Sequence, residues 1–175
     1  MELEDDNELI RTKIKEIIGE LEDSKKNLYT DNCILNSVLN IKYSAAQVAD
    51  IKIESNIFVP KYMNIDYGDM GVLFGNLLDN AIEANQGVDR KKRWINVSVK
   101  YEEHILIINI KNSKIRGSRR KKKGYLNHGI GLNSVKQIVE KFNGIVEVQD
   151  FGEMYEVSAI LYGICDDKDL GKSVL

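Results

Sequence analysis

The chain has 175 residues, of which 43% are hydrophobic and 30% charged, so it is long enough for one domain with a sizeable core, or for one domain plus an appendage. A formal net charge of -2 argues against a nucleic-acid binder. Two distant cysteines without metal-ligand spacing argue against a disulfide framework and a zinc site. The acidic start and the lack of a long apolar run predict no signal peptide and no membrane segment, although a longer parent protein could still be membrane-bound.

The first element is expected to be a helix that dimerises. Between about Glu8 and Asp23, apolar residues recur at alternating spacings of four and three. They are Ile10, Ile14, Ile17 and Leu21. A seam this narrow suits one partner helix better than a broad core does. The alternative is that the seam packs against its own domain.

A second helix and a strand follow. Good N-cap residues at 30–32 predict a helix that runs to about Val48. Its apolar side is predicted to consist of Ile34, Leu35, Val38, Leu39 and Ile41. Residues 51–58 then alternate as a strand, which stops at Pro60.

The stretch from Gly71 to Gln86 predicts an amphipathic helix with two different faces, preceded by Asp66 as a cap. The apolar face is Met70, Phe74, Leu77, Leu78 and Ala81. The other face carries Asn76, Asn80 and Glu83. Lys and Glu form helices better than Asn does, so two carboxamides one turn apart favour a polar cavity that can hold a hydrated magnesium ion. A plain polar helix face is the alternative.

A hairpin and a long loop come next. Residues 94–101 alternate between apolar and polar, whereas residues 104–111 are apolar on nearly both faces, as in a central strand. The pair predicts a β-hairpin. The segment from Asn112 to Asn127 has almost no apolar residues, and loops of this length inside a domain are usually functional or disordered.

A glycine-rich segment, N-H-G-I-G-L-N-S-V, ends this loop at residues 127–135 and opens a helix that should end at Asn143-Gly144. Glycine lets the backbone approach a ligand closely, and the free amides of a first helical turn can bind phosphate. A turn that merely needs glycine is the alternative. Two strands, at 144–150 and 154–162, close the fold.

Three segments in this order, N-L-L-D-N-A-I-E-A, I-K-N-S and H-G-I-G-L-N-S-V, resemble the GHKL ATP-binding family. Within it, the chain is most similar to the catalytic domain of peptide-sensing, quorum-type histidine kinases. The resemblance implies an α+β two-layer sandwich, with a mixed, mostly antiparallel sheet of about five strands covered by helices. The implied boundaries are the end of a dimerisation region at 1–30, the ATP-binding domain at 31–163 and a tail at 164–175.

The resemblance also assigns site residues. Asn80 matches the asparagine that coordinates magnesium, and Asn76 matches a second kinase asparagine one turn earlier. Asn112 stands where many relatives have an aspartate that accepts a hydrogen bond from the adenine amino group; an Asn oxygen can accept that bond too, but without charge. The nucleotide contacts implied for the glycine box are His128, Gly129, Ile130, Gly131 and Leu132.

The segment from Ser113 to Asn127 matches the ATP lid of the family and is rich in Lys and Arg. One or two of these cations are expected to close over the triphosphate, with Lys123 as the first choice because it lies nearest the glycine box. A solvated charge run is one alternative. A nucleic-acid patch is another, although such patches interleave aromatic residues.

The implied function is that of an ATP-dependent protein-histidine kinase with ATP and Mg²⁺ as cofactors. Hydrolysing relatives carry a glutamate at the Asn76 position, and Asn has no basic site, so this domain should hydrolyse ATP poorly and orient its γ-phosphate instead. Glu83 orients a water or an asparagine, or only forms a salt bridge. Neither His104 nor His128 suits the acceptor role, so the acceptor histidine is expected outside this chain.

The expected partners are the phosphoacceptor region, a response regulator and a second copy bound through the N-terminal helices, with no nucleic acid. The expected location is the cytoplasm, possibly as a portion of a membrane-bound receptor. The main alternative is a degenerate GHKL module that binds a nucleotide or a partner without kinase activity. An anti-sigma-type Ser/Thr kinase of the same fold is a third interpretation.

Overall fold

The computed structural model describes residues 27–117 and 130–166. The predicted dimer helix and most of the predicted lid lie outside the described residues, together with Lys123, His128 and Gly129. The helices are α1 (Cys33–Val48), α2 (Tyr67–Ala84) and α3 (Ile130–Lys141), with a short 3-10 turn at Arg90–Lys92. The strands are β1 (Lys52–Phe58), β2 (Trp94–Glu102), β3 (Ile105–Ser113), β4 (Ile145–Asp150) and β5 (Met154–Tyr162).

The five strands form one sheet in the order β1-β2-β3-β5-β4. Only the β1–β2 pair of this sheet is parallel, and the other three pairs are antiparallel. The predicted mixed, mostly antiparallel sheet is therefore confirmed. Because β1 and β2 run in the same direction, the chain must cross over between them, and α2 lies in that crossover.

The predicted hairpin is confirmed as β2–β3, with Glu102 opposite Ile105. The two residues between them, Glu103 and His104, have φ values of 47° and 66°. Two positive φ angles give a two-residue turn whose twist matches that of the flanking strands. The sequence predicts that the second strand begins at His104. In the structure, His104 lies in the turn and β3 begins one residue later, at Ile105.

One face of the sheet is covered by the helices and forms the core. The predicted apolar face of α2 is confirmed, because all five of its residues are buried. The α1 prediction is wrong at Ile41, which is 67% exposed. Ile41 is two residues after the buried Leu39 and so points about 200° away around the helix. Tyr43 and Ala46 complete the buried side of α1 in its place.

The ends of α2 and α3 follow the predicted signals. The Asp66 carboxylate caps α2 by accepting from the Gly68 backbone N–H at 2.8 Å. The helix therefore begins earlier than the stretch that predicted it. At the end of α3, Asn143 adopts a φ of 50°, and the Gly144 backbone N–H donates to the Val139 carbonyl at 3.0 Å. This closes the last turn.

The first residues of the expected tail pack on the body of the domain. Ile164 is buried, and its backbone N–H donates to the His104 carbonyl at 2.9 Å. Asp166 forms an isolated bridge with Met63, just before α2. In the described ranges, no helix is long and apolar enough to span a bilayer.

Candidate functional site

Two salt bridges between helices hold α2 in place. Near its start, Asp69 Oδ2 lies 2.8 Å from Lys141 Nζ of α3. Further along, Asp79 Oδ2 lies 2.7 Å from Lys42 Nζ of α1. With its apolar side on the sheet and a neighbouring helix on each flank, α2 has one face left for the site, and that face is the polar one.

The three polar residues predicted on α2 share this remaining face. Asn76 and Asn80 are half-buried, and Glu83 is exposed. Partial burial suits the two carboxamides, because it limits their rotation while leaving their oxygens reachable. Carboxamide oxygens belong to the hard oxygen donors that Mg²⁺ prefers, so the side chains present fit that ion.

The structure brings Asn76 against the first turn of α3. A β-carbon built on Gly131 would lie 3.4 Å from Asn76 Oδ1 and 3.5 Å from its Cγ. The side chain of Asn76 therefore lies directly over the Gly131 backbone, although the two residues are far apart in the sequence. This contact joins the asparagine helix to the glycine box, as the site prediction requires.

The first turn of α3 consists of Ile130, Gly131 and Leu132. At the start of an α-helix, the first backbone N–H groups have no acceptor within the helix itself, and such groups can bind an anion. Leu132 packs against the core and anchors this turn, whereas Gly131 leaves the backbone uncovered by a side chain of its own. In the described part of the glycine box, the backbone at Gly131 is therefore not covered by a side chain of that residue.

Asn112 occupies the end of the core side of β3. The helix-facing residues before it, Leu106, Ile108 and Ile110, are apolar and buried, and Asn112 follows them at 2% exposure. Its Nδ2 donates to the Ser113 carbonyl at 3.0 Å. The oxygen of the same carboxamide remains an acceptor, which is the role that the resemblance gives to this position.

A buried polar cluster beside Asn112 escaped the sequence reasoning. Asn85 at the end of α2 and Ser113 at the end of β3 are both buried, and the Ser113 hydroxyl donates to Asn85 Oδ1 at 2.5 Å. The stretch that predicts α2 includes Asn85 but assigns it to neither face of the helix. The one available signal was an Asn at a helix end, which is common for capping reasons alone.

Lys114, the first cation of the predicted lid, is bound to the β4–β5 edge instead of facing α3. Its Nζ contacts Asp150 Oδ2 at 2.5 Å and lies 5.9 Å from the Tyr155 ring centre. The pKa of Asp150 is lowered chiefly by the hydrogen bond from Lys114 and then by the Gly152 N–H. The Lys114 backbone N–H also donates to the Glu153 carbonyl at 2.9 Å.

A groove of about 350 Å³ runs along the other flank of α2, between α1 and α2. It is lined by Val38, Ile41 and Lys42 of α1 and by Gly71, Gly75, Asn76 and Asp79 of α2. Asn76 thus faces this groove as well as the start of α3. The groove also contains the Lys42–Asp79 salt bridge, whereas the Gly131 backbone lies on the α3 side of Asn76.

The sequence and the structure have known relatives. The GHKL domain model matches residues 65–161. The probable C4-dicarboxylate sensor kinase of Bacillus subtilis (strain 168) is 32% identical over 95 aligned positions, in an alignment that covers 49% of this chain and 18% of that protein. This chain therefore spans less than a fifth of that curated relative.

Solved structures share the fold at low sequence identity. The catalytic domain of the histidine kinase ThkA aligns with a TM-score of 0.60 at 15% identity, over 78% of this chain and 93% of that chain. The Acinetobacter baumannii histidine kinase AdeS gives 0.55 at 14%, over 85% and 79%. Full-length ShkA in complex with AMPPNP gives 0.58 at 15%, over 78% and 31%. The predicted two-layer fold is therefore confirmed.

Proposed function

The chain belongs to the GHKL domain family, and we propose that it is the ATP-binding catalytic domain of a two-component sensor histidine kinase. In this proposal it presents Mg-ATP to a histidine outside the chain. The single observation that carries the proposal is the contact between Asn76 on α2 and Gly131 at the start of α3. This contact brings the helix that carries Asn76 and Asn80, whose side-chain oxygens can bind Mg²⁺, next to a helix start whose backbone can bind phosphate.

Asn80 and Asn76 are the proposed ligands of the magnesium ion through their side-chain oxygens. When bound, Mg²⁺ neutralises phosphate charge and fixes the triphosphate geometry. The backbone N–H groups of the α3 first turn hold phosphate oxygens, and Asn112 accepts a hydrogen bond from the base. Lys123, nearest the glycine box, is the proposed cation over the triphosphate, Gly129 belongs to the glycine box, and His128 supports the lid. The assignments of Asn76, Asn80 and Asn112 are supported by the oxygen acceptors that these side chains offer.

Asn76 also decides between transfer and hydrolysis in this proposal. A carboxamide has no basic site at neutral pH, so it cannot take a proton from an attacking water. Asn76 therefore orients the phosphate without activating water. Glu83, exposed on the same face, either orients a water or an asparagine or serves only as a charged surface residue.

The proposed partners follow from the same reading. They are the phosphoacceptor region, a response regulator and a second copy bound through the N-terminal seam, with the domain on the cytoplasmic side of a quorum-type receptor. Support for the kinase class comes from the relatives, which are a sensor kinase and three histidine kinases. The ShkA structure was solved with AMPPNP, which supports a nucleotide at this fold's site.

The experiment is a titration of the domain with Mg-ATP, followed by a transfer assay. Wild type is expected to bind Mg-ATP, and Asn80→Ala is expected to lose the magnesium-dependent part of that affinity with an unchanged melting temperature. The matched control is Asn56→Ala, an exposed carboxamide on β1. Equal affinities for wild type and Asn80→Ala would refute the site assignment.

The transfer assay adds a separate fragment that carries the acceptor histidine. Formation of phosphohistidine on that fragment, dependent on ATP, identifies a kinase. Binding of ATP without any transfer would favour the degenerate nucleotide-binding module instead.

A further inference from the structure

Three buried polar residues lie where α2 ends beside β3, joined through the Ser113 hydroxyl and the Ser113 carbonyl. Asn85 is 0% exposed, Asn112 is 2% and Ser113 is 5%. Burying polar groups in a core is costly unless each one is hydrogen-bonded. The directions of their hydrogen bonds can be followed from backbone groups whose donor or acceptor character is fixed.

The orientation of Asn85 is set by two carbonyls. Its side-chain nitrogen donates to the Ala81 carbonyl at 2.9 Å and to the Trp94 carbonyl at 3.3 Å. Carbonyls only accept, so the Asn85 amide group must face them, and Oδ1 must point the other way. There it accepts from the Ser113 hydroxyl at 2.5 Å.

The Ser113 hydroxyl is therefore both a hydrogen-bond donor and a hydrogen-bond acceptor. It donates to Asn85 and accepts from the Trp94 backbone N–H at 3.0 Å. This fixes the side chain of Ser113 between α2 and β2 and, with it, the backbone at the end of β3. The Ser113 carbonyl is then held in place for its own partner, which is Asn112.

The last step fixes the Asn112 carboxamide. Its nitrogen donates to the Ser113 carbonyl at 3.0 Å. Turning the amide over would place its oxygen against that carbonyl, two acceptors in contact with no proton between them. The carboxamide therefore has one allowed orientation, with Oδ1 as an acceptor for whatever lies beyond.

We propose that Asn85 and Ser113 are positioning residues that make the nucleotide site selective for a 6-amino purine. Their hydrogen bonds hold Asn112 with its oxygen toward the base, where it accepts from the amino group of adenine. The 6-oxo group of guanine is itself an acceptor and meets that oxygen without a hydrogen bond. This inference rests on the proposed function, since it presumes that a purine nucleotide binds beside Asn112.

The expected preference follows from the cost of an unmade hydrogen bond at a buried site. Leaving such a group unpaired lowers affinity by roughly tenfold to a hundredfold. A flippable asparagine would show no such preference, because its amide nitrogen could donate to the guanine oxygen equally well. The ratio of the ATP affinity to the GTP affinity therefore measures whether the Asn112 carboxamide is held in one orientation.

The test is to measure dissociation constants for Mg-ATP and Mg-GTP on wild type, Ser113→Ala and Asn85→Ala. Wild type is expected to prefer Mg-ATP by at least about tenfold. In both variants the preference is expected to collapse toward one, through weaker ATP binding and equal or tighter GTP binding. A defect that is only structural would weaken both nucleotides alike and keep the ratio.

The matched control is Asn109→Ala on the same strand. The Asn109 nitrogen donates to Glu156 Oε1 at 2.6 Å and to Ser158 Oγ at 2.8 Å, so this variant also removes a bonded carboxamide, but one that is not linked to Asn112. Its ATP-to-GTP ratio is expected to match wild type. If Asn85→Ala does not fold, the milder Ser113→Ala decides.

Different failures have different meanings. Equal affinities of wild type for ATP and GTP would overturn the positioning role of Asn85 and Ser113, whereas the proposed function would stand. An unchanged ratio in Ser113→Ala would do the same. Binding of neither nucleotide by wild type would overturn the proposed function and this inference together.

Discussion

Asn76 Oδ1 lies 3.4 Å from the position that a β-carbon on Gly131 would occupy. This spacing is an ordinary van der Waals contact, so the first turn of α3 has room for a methyl group and for little more. The identity of residue 131 therefore controls where the Asn76 side chain can point.

Substitutions at Gly131 should affect nucleotide binding in order of size. Gly131→Ala is expected to stay within about threefold of the wild-type affinity for Mg-ATP, whereas the branched chain of Gly131→Val displaces Asn76 and weakens binding by at least about tenfold. Isothermal titration measures both. The control is Gln137→Val, which puts the same side chain at an exposed site on α3. Equal affinities for Gly131→Val and Gln137→Val would contradict the contact.

Replacing Asn76 by glutamate should raise the rate of ATP hydrolysis. The new carboxylate supplies a base on the face where Asn76 offers none. The control is Asn76→Gln, which has the same length without a basic group. Release of inorganic phosphate under saturating Mg-ATP checks the difference, and equal rates for the two variants would leave the proton-transfer argument without support.

Replacing Asn112 by aspartate should destabilise the domain, even though many relatives carry aspartate there. The change swaps the nitrogen that donates to the Ser113 carbonyl for a second acceptor. The expected cost is about 1–3 kcal/mol near neutral pH, measured by urea unfolding. Asn56→Asp, at an exposed residue on β1, is the control. A stability equal to wild type would show that the carboxamide donor is not needed.

Two glycine-to-alanine changes should shift stability in opposite directions. A β-carbon on Gly144 would lie 2.5 Å from Val139 Cγ1 and closer still to the Ile160 carbonyl oxygen, so Gly144→Ala is expected to cost about 3 kcal/mol. Within the described chain, nothing lies within 4 Å of a β-carbon on Gly71. Gly71→Ala inside α2 is therefore expected to stabilise by about 0.5–1 kcal/mol.

Thermal or urea unfolding of these two variants and wild type gives both values. If the free energy of unfolding changed in the same direction in both variants, helix propensity and the space around the new β-carbon would not explain stability at these two positions.

Tyr43 should make the domain sensitive to alkali. Burial raises its pKa from 10.0 to about 12, and the nearby Ser55 hydroxyl offsets this only in part. The unfolded chain therefore loses the phenolic proton before the folded protein does. The stability linked to the neutral phenol is complete below about pH 10 and is lost as the pH rises toward 12.

Tyr43→Phe removes this pH dependence. Between pH 9 and pH 11, its free energy of unfolding is expected to fall by roughly 1 kcal/mol less than that of wild type. At neutral pH the change should be close to neutral, because the Ser55 hydroxyl, although near, does not meet hydrogen-bond geometry with the buried Tyr43 hydroxyl, which has no other partner in the described structure. Urea unfolding at both pH values checks this, with Tyr67→Phe at an exposed site as the control. Parallel pH profiles for wild type and Tyr43→Phe would count against the assignment.

Sequence patterns predicted what depends on short-range periodicity. The two faces of α2, the β2–β3 hairpin and the end of α3 at Asn143-Gly144 all follow from spacing and local backbone preference. The parallel pairing of Lys52 with Trp94 did not follow, because it joins strands separated by a whole helix. Periodicity reports which face is apolar but does not identify the neighbouring strand.

The site was predictable in part for the same reason. Asn76, Asn80 and Gly131 belong to recognisable local motifs. The Asn85–Ser113 hydrogen bond joins positions 28 apart in sequence, and neither residue type is unusual where it stands. Lys114 was grouped with the lid by its charge, and only the fold reveals that Asp150 is within its reach.

The central position of β3 has a consequence for how the molecule opens. In the described part of the chain, β3 is hydrogen-bonded to β2 on one side and to β5 on the other, whereas β1 and β4 lie at the two edges of the sheet. Amide protons at sheet margins exchange with solvent through low-energy fraying, and those of a doubly flanked strand exchange only when most of the sheet separates. Asn112 lies on β3, the strand that separates last, so the base contact proposed for Asn112 should survive the fraying of both outer strands.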